Sequence, residues 1–177
     1  TAHHLLFVDD DLMTFDGTLR VSPPFRSDAD RMALCQGIVD GTIDALVSDH
    51  RPQDLECSDV EFALSQPGIA GIESLFATGF SALSMQFTTG EALAAIIRSL
   101  TVGPRTVFGW DAAAIAVGQP ADITWFHEDL TWKSAHVSKG TNTIEADQLI
   151  GKLNDDAALK GQPLGVITPH GAFRQPE

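Results

Sequence analysis

Thr42-Ile43-Asp44-Ala45-Leu46-Val47-Ser48-Asp49-His50-Arg51-Pro52 is an apolar run that ends abruptly in ionisable groups. Ile43, Ala45, Leu46 and Val47, interrupted only by Asp44, predict a short strand buried on both faces. Ser48, Asp49 and His50 fall at its C-terminal end. In folds built on parallel strands, that end carries ligands and catalytic side chains. Asp49 is therefore the first candidate for chemistry, with capping of the turn before Pro52 as the structural alternative.

The neighbouring segments extend this pattern. Leu19 and Val21 alternate around Arg20 as in a half-buried strand, which Ser22-Pro23-Pro24 ends because proline cannot donate to a ladder. Ser27 is placed to cap a helix from Ala29 to about Val39, with Met32, Leu34, Cys35, Ile38 and Val39 as its apolar stripe and Gly41 as its stop. Residues 19 to 47 thus predict a strand, helix, strand unit of a parallel barrel.

Three motifs give this pattern an identity. The run 40 to 52 (Asp-Gly-Thr-Ile-Asp-Ala-Leu-Val-Ser-Asp-His-Arg-Pro), the upstream run 19 to 27 (Leu-Arg-Val-Ser-Pro-Pro-Phe-Arg-Ser) and the downstream run 67 to 74 (Pro-Gly-Ile-Ala-Gly-Ile-Glu-Ser) resemble, in order and spacing, the C-terminal half of a dihydroorotase of the amidohydrolase superfamily. The resemblance begins near Thr1 and weakens after Trp132. It implies an α/β fold: the C-terminal part of a (β/α)8 TIM barrel with adjoining strands of a small β-sandwich. Residues 1–110 would carry the last barrel strands and helices, and residues 111–177 the sandwich. The double proline followed by Phe25-Arg26-Ser27 favours dihydroorotase over a hydantoinase or allantoinase.

The same resemblance assigns roles. Dihydroorotases interconvert dihydroorotate and N-carbamoyl-aspartate, usually with Zn2+. Zinc lowers the pKa of bound water to about 7 and polarises the carbonyl, and a carboxylate beside it moves the proton. Asp49 matches the Asp of the Asp-His-x-Pro motif and so inherits the places of metal ligand and general base. Ser22, Gln53, Pro67 and Gly68 match substrate-binding positions. Ser22 stands where an Asn is normal and lacks the amide's paired donor and acceptor, and Gln53 stands where a His is common and can hydrogen-bond but cannot carry charge. These departures, with Arg51, motivate a rival reading: a non-catalytic homologue that acts as a structural partner of aspartate transcarbamoylase. A homo-oligomer is the other implied assembly.

The family's remaining metal ligands lie on earlier strands that no segment here matches. His3 and His4 are adjacent and would point to opposite sides of an extended chain; the resemblance puts them close to the site, and they are expected to be structural rather than ligands. His127, His136 and His170 are scattered and read as surface or turn residues, while His50, part of the motif, is expected to pack near the site rather than bind zinc. The chain alone is accordingly expected to be inactive.

Composition narrows the remaining classes. With 177 residues, the chain can bury a core, but a complete eight-stranded barrel typically needs about 250 residues. Its start inside an apolar run, without Met, predicts a fragment. A formal charge of −13, from 11 basic against 24 acidic residues, opposes nucleic-acid binding. No apolar run is long enough for a membrane span. Cys35 and Cys57 are isolated, as expected of free thiols in the cytoplasm.

Farther along, His3 to Val8 predicts a strand stopped by a solvated acidic turn at Asp9-Asp10-Asp11. The irregular polar segment 50 to 66 predicts a functional loop. Ile72 to about Leu83 predicts a second helix. Thr88 to Glu91 predicts a capping box opening a third, whose Leu93, Ile96, Ile97 and Leu100 form a core stripe. Residues 104–109 predict a short helix or turn. Gly118 to Asp122 predicts a turn held by Asp122, leading into a strand from Ile123 to Phe126. Strands are also expected at Thr131 to Val137 and Leu164 to Thr168, with a hairpin turn at Pro169-His170-Gly171.

Overall fold

The computed structural model describes residues 1–111, 114–131 and 160–174. Its α-helices are α1 (Asp28–Asp40), α2 (Leu55–Ser58), α3 (Leu75–Ser84), α4 (Thr89–Leu100) and α5 (Val102–Phe108). Three strands follow, β1 (Ile123–Thr131), β2 (Lys160–Thr168) and β3 (Gly171–Arg174), in an antiparallel sheet of order β1-β2-β3.

Helix α1 begins and ends where its sequence dictates. Ser27 Oγ accepts the Asp30 N–H at 3.3 Å, and Gly41 takes φ 85°, a left-handed conformation that costs glycine nothing. Arg98 of α4 donates to the Ile38 carbonyl, satisfying a group the helix end leaves open. Cys35 and Ile38 are buried. The Cys35 thiol donates to the Leu5 carbonyl at 3.6 Å, and burial raises its pKa. Both cysteines are free.

The capping box of α4 forms as expected: Thr88 Oγ1 accepts the Glu91 N–H at 3.4 Å and Glu91 Oε2 accepts the Thr88 N–H at 3.0 Å. Ile96 of α4 packs with Phe80 and Leu83 of α3 in a core that also takes Leu5, Phe25 and Leu46. Each such side chain contributes about 1.5–3 kcal/mol on burial. The second helix starts later than expected, at Leu75 rather than Ile72. The hairpin turn at residues 169–170 falls as read from the sequence, with Thr168 opposite Gly171, while β2 begins at Lys160, earlier than the expected Leu164. The turn before β1 also forms, but Asp122 is exposed and the turn is closed by Gln119 N–H donating to Ala116 O at 3.1 Å. Of the segment expected as a strand at Thr131 to Val137, only Thr131 is described, at the end of β1; residues 132–137, and His136 with them, lie outside the described residues.

The expected parallel strands are corrected. Residues 43 to 47 form no strand; Leu46 N–H donates to Ser99 O at 3.0 Å and Val47 O accepts the Ala2 N–H at 3.1 Å. Their backbone groups thus go to a helix end and to the first turn of the chain. Asp44 and Val47 are exposed, so the run is not buried on both faces. Residues 19 to 21 likewise leave a 3-10 turn, Gly17–Leu19, capped by Asp16 Oδ1 on the Thr18 N–H. The predicted strand from His3 to Val8 is instead a 3-10 helix over Ala2–Leu5. Among the described residues, parallel pairing is limited to one bridge between His50 and Ile69. The acidic triplet, expected as a turn, instead opens a 3-10 helix over Asp9–Thr14, with Asp11 Oδ2 accepting the Val8 N–H at 2.9 Å. Among the described residues no helix is long and apolar enough to cross a membrane.

Candidate functional site

The bridge between His50 and Ile69 joins the two segments that carry most of the candidate residues. Arg51 N–H donates to Ile69 O at 2.9 Å, and His50 Nδ1 accepts the Ile72 N–H at 3.3 Å. This pairing sets residues 49 to 53 alongside residues 67 to 72. Gln53 Nε2 then donates to Pro67 O at 3.2 Å. Gly68 N–H donates to Arg20 O at 2.8 Å, which brings in the third segment, containing Ser22.

Gly68 has φ 147°, a conformation open to glycine and strained for other residues. A Cβ there would lie 2.7 Å from Arg51 Cβ and 3.2 Å from Gln53 Nε2. The Arg51 side chain therefore lies directly over the glycine. Its Nε donates to Asp49 Oδ1 at 3.1 Å. Asp49 itself has φ 43°, a left-handed conformation that aspartate tolerates better than most side chains, at a local cost. Its carboxylate is partly exposed.

Ser22 and Pro67 meet in a cavity of about 290 Å3 whose wall also includes Leu12, Leu19, Val21 and Phe62. Asp49, Gln53 and Gly68 do not line it. The structure thus ties Gln53, Pro67 and Gly68 into one rim with Arg51 and Asp49, and joins Ser22 to that rim through Pro67 and Arg20. The loop between these segments is anchored by Arg20, which donates to the Ser65 carbonyl and, at 3.1 Å, to Ala63 O.

Two histidines complete the surroundings. The 3-10 helix places His3 and His4 side by side, ring centroids 4.9 Å apart, rather than on opposite sides of a strand. His3 is buried, its Nε2 has no hydrogen-bond partner among the described residues, and burial, with His4 adding to it, lowers its pKa to about 3. His127 and His170 are exposed, and neither enters the rim. Arg51 and His4 are the residues that sequence reasoning undervalued. Arg51 stood out in the sequence only as a motive for the non-catalytic reading, and His4, expected near the site as a structural residue, shows its bonds to Thr1 and Pro23 only in the folded turn.

Among the described residues, no three His, Cys, Asp or Glu side chains form a group able to hold a metal. The described residues by themselves therefore do not make a zinc site. Asp49 offers one carboxylate, and Arg51 already occupies Oδ1.

Comparison with known proteins finds the same likeness. The chain is 37% identical over 146 residues to the dihydroorotase of Bacillus subtilis (strain 168), covering 80% of this chain and 33% of that protein. This sequence is dihydroorotase-like. A second dihydroorotase, from Aquifex aeolicus (strain VF5), is 35% identical over 145 residues, again 80% of this chain and 33% of the relative. The dihydroorotase-like chain thus spans about a third of the length of the curated relatives it matches. No family model matches it. Among solved structures it resembles the L-hydantoinase of Arthrobacter aurescens, with a TM-score of 0.71 and 19% identity over 98% of this chain and 38% of that one. The D-hydantoinase of a Thermus species gives 0.65 and 20% identity, over 90% and 34%. At these identities the hydantoinases establish the fold alone, and it agrees with the amidohydrolase reading.

Proposed function

We propose that this chain supplies one wall of the active site of a dihydroorotase, a cyclic amide hydrolase interconverting dihydroorotate and N-carbamoyl-aspartate. The observation that carries this reading is the rim itself, where the Asp49 segment pairs with residues 67 to 72 and Gln53 bonds to Pro67. In this reading, residues 1–110 belong to the barrel and 111–177 to the small sandwich. The two free thiols fit a cytoplasmic setting.

The role of Asp49 follows from carboxylate chemistry. It takes a proton from the water that attacks the ring carbonyl; the ring C–N bond then breaks, and the proton passes to the departing nitrogen. Gly68 lets substrate approach the main chain closely, and Ser22 and Gln53 present polar groups to it. Zinc is part of the proposal only through the resemblance, and the described residues do not hold it by themselves.

The test is turnover of dihydroorotate by the full-length protein and by its Asp49→Asn variant. We expect the variant to lose at least about a hundredfold in kcat; unchanged turnover would refute the assignment. The 177-residue chain alone is expected to show no turnover with or without added zinc.

A second reading is favoured by the Arg51–Asp49 pair, which engages the proposed base, together with Ser22 and Gln53. Here the protein is a non-catalytic homologue that binds aspartate transcarbamoylase. An inactive full-length protein that co-elutes with aspartate transcarbamoylase would select it.

A further inference from the structure

We propose that His4 is a positioning residue for this site, holding the Ser22-Pro23-Pro24 segment against the segment that carries Asp49. The inference rests on reading the Asp49 rim as an active site.

His4 stands where three segments meet. Its own 3-10 helix is fastened to the Asp49 segment by Ala2 N–H donating to Val47 O at 3.1 Å. On the other side, His4 Nε2 lies 2.9 Å from the Pro23 carbonyl oxygen. A carbonyl only accepts, so Nε2 carries the hydrogen, and this fixes the neutral ring's tautomer. His4 Nδ1 is then the acceptor for the Thr1 hydroxyl, 2.6 Å away. Both ring nitrogens are engaged, and the ring is further confined by Phe25, 5.1 Å between centroids and tilted 63°.

The link to Asp49 is also electrostatic. Burial is the largest influence on His4 and lowers its pKa, while the Pro23 hydrogen bond and the negative charge of Asp49 act in the opposite direction. A ring that bonds the substrate segment at one edge thus also feels the carboxylate of the proposed base. Without the Nε2 bond, the Pro23 carbonyl would turn to water, and Ser22 beside it would lose its fixed relation to Gln53, Gly68 and Asp49.

Steady-state kinetics of the full-length protein on dihydroorotate test this with four variants. Gln at position 4 can place an amide donor near the Nε2 position, whereas Asn reaches only the Nδ1 position. We expect His4→Ala and His4→Asn to raise KM about fivefold to tenfold, as for the loss of one hydrogen bond, with kcat within about twofold. His4→Gln should restore KM to near the starting value. In the unsubstituted chain, the imidazole nitrogen chemical shifts of His4 should report Nε2 protonated. Equal KM values for the Asn and Gln variants, or an Nδ1-protonated ring, would overturn the proposal; the comparison survives even if the Ala variant does not fold. The fourth variant, Asp49→Asn, separates the two failures. If it is inactive while the His4 variants match the parent, only the His4 inference falls; if it remains active, the reading of the site falls and this inference with it.

Discussion

Arg51 Nε donates to Asp49 Oδ1 at 3.1 Å, across the one residue, His50, that bridges to the facing segment. The arginine is half-exposed and the aspartate about a third exposed, so water screens much of their attraction. Replacing Arg51 with alanine is expected to change stability by less than about 1 kcal/mol, as is usual for exposed pairs. Urea denaturation checks this, and a loss several times larger would mean that the pair holds the rim together.

Ser22 and Gln53 depart from the residues common in dihydroorotases. Ser22→Asn restores an amide beside the cavity shared with Pro67, and Gln53→His restores a ring able to carry charge. The double variant of the full-length protein is expected to bind dihydroorotate more tightly, with KM lowered severalfold. An unchanged or higher KM would show that these positions do not meet the substrate.

Gly68 allows no ordinary side chain. At φ 147°, with Arg51 Cβ only 2.7 Å from a built Cβ, alanine must move the backbone or displace Arg51. Gly68→Ala is expected to lower stability by about 1–3 kcal/mol and to weaken the bond between Gln53 and Pro67. Thermal denaturation measures the first effect, and the Gln53 side-chain amide resonance measures the second.

His3 makes stability depend on pH. Its folded pKa is lowered to about 3, chiefly by burial, whereas in the unfolded chain it titrates near its ordinary 6.5. The unfolded state therefore binds more protons between these values. The His3 contribution is fully present above pH 6.5 and is lost as pH falls from there toward 3. His3→Leu should flatten that part of the stability profile in urea denaturation at pH 7, 6 and 5. A parallel profile would place the acid sensitivity elsewhere.

Local signals were legible in the sequence wherever one residue's chemistry suffices. Ser27, Gly41 and the Thr88 to Glu91 box mark helix ends through bonds reaching at most three residues, and all formed as read. The hairpin at 169–170 is similarly local. The strands at 19 to 21 and 43 to 47 failed because a ladder is a relation between segments. An apolar run records only that a partner is wanted, and here the partners of Leu46 and Val47 are Ser99 and Ala2. At the rim, Asp49, Gln53, Pro67 and Gly68 were named from motif spacing, while the contacts of Arg51 and His4 emerged only when the folded chain set them beside Gly68 and Pro23.

The Cys35 sulfur, sealed between α1 and the Leu5 carbonyl, gives this molecule a built-in clock for its own breathing. An alkylating reagent can reach that sulfur only while α1 lifts away from the first turn, whereas Cys57 is partly open at all times. The ratio of the two labelling rates reads how often the histidine-bearing turn lets go of the helix beside it.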